Sequence, residues 1–229
     1  MPSKKVDLKS VLAHVLWIGG ATDSVKTSVA RALAEKYGLQ AYHYDRYDRE
    51  EPPGHWARAD PVRQPYMYAT LTRDRDWMWV HTTPEELVER WLGTTPERFE
   101  LTLEDLLALP ATPPILAEGY GLTPELVRPL LSSTRQAIWL VSTEEFKRAS
   151  YERRGKQAGK NTSDPERARR NHYGRDLLLA EHFRRRVEEL GLAVVEIDGR
   201  RSLAEVVSVV EAHFGPLLGG TRQAPWPST

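Results

Sequence analysis

Five short apolar runs constrain this chain more than any other feature. They are His14 to Ile18, Ala41 to Tyr44, Ile115 to Ala117, Ala137 to Val141 and Ala193 to Ile197. Four of them close on glycine or an acid: Gly19-Gly20, Asp45, Glu118-Gly119 and Asp198-Gly199. Apart from Ala41 to Tyr44, the runs are rich in Val, Ile and Leu rather than alternating with polar residues, as expected of strands buried on both faces of a parallel sheet. Between the first two runs, Thr27 to Tyr37 carries Val29, Ala30, Leu33 and Ala34 at helical spacing and stops at Gly38. This alternation predicts an α/β fold joined by helical crossovers. Helix starts are expected at Thr83-Pro84, Thr95-Pro96, Thr123-Pro124 and Asp164-Pro165. At each, a side-chain oxygen can cap free amides and proline suits the first helical position. Ser142 to Glu145 fits a capping box, and a long helix is expected from Pro165 to Leu190.

The spacing divides the chain. Residues 46–113, between the second and third runs, exceed what one crossover helix needs and predict a helical insertion beside the sheet. Residues 151–163 are rich in Gly, Lys, Arg and Asn and read as a mobile loop within a lid-like segment, 151–176. One domain is expected over 1–215, with 216–229 a disordered Gly/Pro-rich tail. The absence of cysteine excludes disulfides and thiol nucleophiles. No apolar run is long enough for a membrane span, and the first residues lack a signal-peptide core, so a soluble cytoplasmic protein is expected. Formal net charge is zero, yet residues 147–186 carry 13 Lys and Arg against 5 Asp and Glu. A basic segment thus offsets an acidic remainder. That disfavours wholesale nucleic-acid binding but suits a small phosphorylated ligand.

After the first run comes Gly20-Ala21-Thr22-Asp23-Ser24-Val25-Lys26-Thr27. It matches the phosphate-loop pattern G-x-x-x-x-G-K-[ST] at Gly20, Lys26 and Thr27, in the strand–loop–helix setting that pattern requires. It departs at Val25, where the pattern has glycine because the backbone must approach phosphate closely. Asp23 adds a carboxylate where a polyphosphate is expected.

This loop, Asp45, Glu118-Gly119 and the arginine-rich segment after the fourth run carry a resemblance over residues 11–215. The chain resembles the P-loop kinases of the nucleoside-monophosphate-kinase-like type, among them adenylate, shikimate and gluconate kinases and related antibiotic phosphotransferases. The resemblance implies a three-layer P-loop NTPase fold. Its parallel sheet has five strands in order 2-3-1-4-5, with helices on both faces and a helical substrate insertion. It implies ATP as phosphate donor and Mg²⁺ as cofactor. Gly20, Ala21, Thr22, Asp23, Ser24, Val25, Lys26, Thr27 and Ser28 would hold the donor phosphates, and Thr27 and Glu118 the metal. Asp45 would orient or deprotonate an acceptor hydroxyl. Arg153 and Arg154, and then Arg169, would close over the transferring group.

The residues leave rival readings open. Val25 and Asp23 also fit a pseudokinase, a binder of nucleotide or phosphate ligands, or other chemistry on the same scaffold. Asp45 could instead cap a helix or pair with Arg46 or Arg49, and Glu118 could bond Thr27 or Ser28. Asp48 reads as solvated, and Asn171-His172-Tyr173 as a polar helix face. The insertion's tryptophans read as core more than as pocket. Its Arg58, Arg63, Arg73 and Arg75 could meet an anionic substrate or pair with Asp60, Asp74 and Asp76. His43, His55 and His81 lack the spacing of a structural metal site. The expected partners are a nucleotide and a small-molecule acceptor, with a homodimer left open, and neither membrane nor nucleic acid.

Overall fold

The computed structural model describes residues 7–50, 53–154 and 159–218. In chain order, α1 (Leu8–Val11) precedes β1 (Val15–Gly20), α2 (Lys26–Tyr37), β2 (Gln40–His43) and α3 (Tyr44–Arg49). The insertion contributes α4 (Pro65–Leu71), α5 (Arg75–Trp79) and α6 (Pro84–Ala108). Then follow β3 (Ile115–Glu118), α7 (Pro124–Val127), β4 (Ala137–Ser142) and α8 (Glu144–Arg154). The chain continues through α9 (Pro165–Glu189), β5 (Ala193–Ile197) and α10 (Leu203–Leu218). The strands form one all-parallel sheet in the order β2-β3-β1-β4-β5, as the resemblance implied.

Strand alternation builds two cores from one sheet. Val15 and Trp17 of β1, with Ala137 and Trp139 of β4, face a layer that includes Trp91, Phe99 and Phe183 of α6 and α9. Leu16, Ile18, Ile138 and Leu140 face Val29, Leu33, Val210 and Phe214 of α2 and α10. Both faces are therefore covered, which explains why these runs are continuously apolar. In register, Ile18 of β1 and His43 of β2 both stand opposite Glu118 of β3. The segments that follow these strands thus emerge together at one edge of the sheet, where ligands of open α/β sheets bind.

Several local expectations are corrected. No helix begins at Thr95-Pro96; α6 runs through Pro96 without a break. The Thr94 and Thr95 hydroxyls donate to the Trp91 carbonyl at 3.2 and 2.5 Å, beside the position where proline supplies no amide. Thr83 does form a capping box with Glu86, and Asp164 caps α9. The cap of α8 is Thr143, which accepts from the Phe146 amide at 3.2 Å, one residue beyond the expected Ser142. Thr123 makes no side-chain cap on the four-residue α7. Residues 151–154, expected as loop, complete α8, and α10 extends past residue 215 to Leu218. The remainder of the expected tail, and Lys156, lie outside the described residues. Among the described residues, no helix is long and apolar enough to cross a membrane.

The insertion is anchored by buried charge rather than by apolar packing alone. Asp48, expected to be solvated, is fully buried on α3. It accepts from Arg98 Nη1 of α6 at 3.1 Å and from Trp56 Nε1 at 3.2 Å. His55 Nδ1 lies 3.5 Å away, and its Nε2 meets Asp105 at 2.7 Å. Burial alone would raise the Asp48 carboxyl, but the His55 bond and the Arg98 charge overrule it and hold it below the usual carboxylate range. Breaking such a pair from one side strands a buried charge. Arg98→Met is therefore expected to cost about 3 kcal/mol in denaturant unfolding, with Asp48→Asn in the same chain recovering part of it. A loss below about 1 kcal/mol would show the pair to be energetically neutral.

Candidate active site

The loop between β1 and α2 is built on three residues with positive φ, Gly20, Asp23 and Val25. Gly20 has φ 125°, and a Cβ there would lie 2.0 Å from the Leu140 carbonyl oxygen, so no other residue fits. Asp23 and Val25 both sit in the left-handed region, with φ 62° and 57°. Val25 thus adopts the conformation that glycine takes freely, at a cost of about 1–2 kcal/mol. The loop closes on itself. Ser24 Oγ donates to Ala21 O at 2.7 Å, and Lys26 Nζ donates to the same carbonyl at 2.5 Å and to Ser24 Oγ at 3.3 Å. Burial pushes the Lys26 ammonium below its ordinary value, although the surrounding Asp45, Glu118, Asp23 and Asp176 carboxylates pull the other way. A cavity of about 250 Å³ opens over this loop, walled by residues 22–28, Asp45 and Tyr120. Gly20 ends β1 and Ala21 follows it; neither lines the cavity.

The loop meets two acids. Glu118 Oε1 and Oε2 accept from Thr27 Oγ1 at 3.1 and 3.2 Å, the bond foreseen as an alternative for Glu118. His43 Nδ1 lies 3.0 Å from the same carboxylate. Thr27, which lines the cavity, and Glu118, bonded to it, are hard oxygen donors, the set a magnesium ion takes when substrate phosphates and water complete its shell. The residues fit that ion. Asp45, in the first turn of α3, reaches solvent at the mouth of the cavity. The protein packed behind it pushes its carboxyl up, and Lys26 opposes that rise.

A second cavity of about 520 Å³ adjoins the first and shares Thr22, Asp45 and Tyr120 with it. Its wall adds Arg49, Glu50, Arg75, Trp79, Gly159, His172 and Arg175. The Arg175 guanidinium lies 5.2 Å from the Trp79 ring centre and donates to Asp176 and to His172. His172, read as polar helix face, is therefore a cavity residue, and Trp79 lines a pocket while Trp91 packs in the core. Of the four insertion arginines, Arg75 alone lines this cavity. Arg58 pairs with Glu104 and Asp105, and Arg63 with Glu100 and Glu104. Arg73 stacks on Trp77. Asp60 and Asp74 cap local turns, and Asp76 accepts from the Ser163 amide.

The remaining expected site residues are placed less centrally. Ser28 lines the first cavity. Arg153 and Arg169 are exposed, and neither lines the two cavities. Arg154 ends α8, and its side chain lies outside the described residues. Sequence reasoning missed Tyr120, Lys147 and Asp176. Lys147, fully buried on α8, donates to Thr22 O at 3.0 Å and Thr22 Oγ1 at 2.7 Å. Asp176 of α9 accepts from Thr22 Oγ1 at 2.7 Å. Lys147 stands one turn beyond the carboxyl end of β4, in the same crevice as the loop, and that position was the available signal. Among the described residues, no cluster of three or more His, Cys, Asp or Glu could hold a metal by itself.

No protein-family model matches the chain, and no curated protein matches it in sequence. Solved structures do resemble it. Shikimate kinase from Acinetobacter baumannii, in complex with shikimate, is 17% identical over 94% of this chain and 99% of its own, with a TM-score of 0.48. A gluconokinase from Sinorhizobium meliloti is 16% identical over 91% of this chain and 95% of its own, with a TM-score of 0.44. At these identities and scores neither likeness bears on activity; the sheet order and the loop geometry stand on their own.

Proposed function

We propose that this chain is an ATP-dependent kinase acting on a small anionic molecule that bears a hydroxyl. One observation carries the reading. Lys26, Thr27 and Asp45 line the loop cavity, Glu118 is bonded to Thr27, and an adjoining cavity that shares Thr22, Asp45 and Tyr120 is lined by three arginines. Bound ATP would supply the phosphoryl group, and magnesium would neutralise its oxygens. Lys26 and the loop amides hold the donor phosphates, and Thr27 with Glu118 holds the ion. Asp45, shared by both cavities, accepts the proton of the acceptor hydroxyl. Arg49, Arg75 and Arg175 bind the acceptor's anionic group, since guanidinium pairs well with carboxylate and phosphate. Trp79 and Tyr120 exclude water from one side. The chain's contribution is then positioning and electrostatics, which is most of what phosphoryl transfer asks of a protein.

A second reading, binding of a phosphate ligand without transfer, is favoured by Lys26 being folded onto the loop's own carbonyl. Calorimetry with Mg-ATP on the parent and on Val25→Gly tests nucleotide binding, and ADP release separates transfer from binding alone. The kinase reading expects the parent to bind at micromolar to millimolar Kd and the glycine variant to bind at least as well. A parent that gives no heat beside a glycine variant that binds would sink it. ADP release in the presence of a set of sugar acids, with the matching uncharged sugars as controls, then tests the anionic acceptor.

A further inference from the structure

Asp23 is a poor residue for a phosphate loop unless something cancels its charge. Its side chain is fully buried, and its Oδ2 lies 3.7 Å from Lys147 Nζ. Lys147 is equally buried and lies 3.7 Å from Asp176 Oδ2. Between the two acids it bonds both the carbonyl and the hydroxyl of Thr22, while that hydroxyl donates to Asp176. A lysine from α8 and an aspartate from α9 thus grip two consecutive loop residues from beneath the cavity. Asp176 also takes Arg175 at 2.5 Å, and Arg175 lines the second cavity. The grip therefore reaches from the donor loop to the acceptor wall.

We infer that Lys147 is a positioning residue for the phosphate loop: it is an internal counter-ion of Asp23, and with Asp176 it holds the loop in its binding conformation. The loop needs such a device because two of its residues, Asp23 and Val25, occupy a left-handed conformation that neither prefers. In this chain a buried ionic grip does what glycine does by lacking a side chain. The effect on nucleotide rests on the proposed Mg-ATP binding; the effect on the loop does not.

The test is a charge-compensation cycle with two readouts, Mg-ATP calorimetry and amide hydrogen exchange of residues 21–25 in the ligand-free protein. Lys147→Met is expected to weaken Mg-ATP binding by about 30-fold, because it removes the buried cation beside Asp23 and the two bonds that hold Thr22. Exchange in the loop should accelerate about tenfold or more. Asp23→Asn in the same chain should recover a clear part of both losses, since it removes the charge that Lys147 faced but not the lost bonds to Thr22, and that recovery separates charge compensation from simple packing. Asp23→Asn alone keeps Lys147 and should tighten Mg-ATP binding, which preserves the test if Lys147→Met does not fold. Unchanged loop exchange in Lys147→Met would overturn the inference, as would a loss that the double variant does not recover. So would weaker Mg-ATP binding by Asp23→Asn. A parent that binds no Mg-ATP defeats the kinase reading instead, and the exchange arm then decides the inference alone.

Discussion

Lys26→Ala is expected to weaken Mg-ATP binding by about 100-fold or more with Tm close to that of the parent. The two halves of that result come from one fact. Lys26 is buried to 7% exposure, and burial drives its ammonium below the ordinary lysine value even though four carboxylates pull it up. The folded protein therefore holds this proton less readily than the unfolded chain does. For a base shifted down, the charged form costs stability at every pH below the folded pKa, and the cost fades only as pH rises to the unfolded value. At neutral pH the charge is a burden to the fold, which offsets the lost bonds to Ala21 O and Ser24 Oγ, so removing the side chain leaves melting close to that of the parent. A bound polyphosphate supplies the opposing charge that burial withholds, so the same side chain is worth most when ligand is present. Calorimetry and thermal melts of parent and variant check both halves. Binding within about threefold of the parent would end the assignment of the loop as a phosphate site. A large fall in Tm would show Lys26 to be a structural residue.

What the sequence disclosed follows a physical division. The five strands were legible because both faces of each central strand are buried, so the apolar signal is continuous and needs no partner to interpret. The bounds moved by a residue or two, and β5 matched as read. The phosphate loop was legible because its backbone demands are local. Sidedness and long-range pairing were not legible. Asp48 looks like any charge in Tyr44–Arg49, and its burial is made tolerable by His55, Trp56 and, fifty positions on, Arg98. Lys147 sits in a run of basic residues, where a solvated face is the ordinary reading. Its partners lie on the loop and on α9, over a hundred residues before it and 29 after it, as the Thr22 and Asp176 contacts show. Thr95-Pro96 carries a local start signal that the continuous α6, packed against α9, overrides. In each case the decisive term is an interaction between distant segments, which composition and periodicity do not record.

Asp45→Asn should lower kcat by about 10²- to 10⁴-fold while leaving the Kd for Mg-ATP close to that of the parent. Asp45 is the acid shared by the loop cavity and the arginine-lined cavity, where a donor phosphate and an acceptor hydroxyl would meet. Its carboxyl is raised by the protein packed around it, against the pull of Lys26, so it is a stronger base than an ordinary aspartate. Activity that depends on the ionised form should fall on the acid side at a pH above that of a free aspartate, and this acid limb should vanish in the asparagine variant. Stability runs the opposite way. A carboxyl with a raised folded pKa favours the neutral form, so its contribution is full below the unfolded pKa and is lost as pH rises through the folded one. Asparagine imitates the neutral acid at every pH, so the variant should melt no lower than the parent at neutral pH. The gain should be small, since the carboxyl reaches solvent. A variant that is inactive but stable, with nucleotide affinity intact, is the signature of a base that the fold does not need. Retained turnover, or an acid limb that survives the substitution, would move the proton acceptor elsewhere, and Glu118, already held by Thr27 and His43, would be the next carboxylate to test.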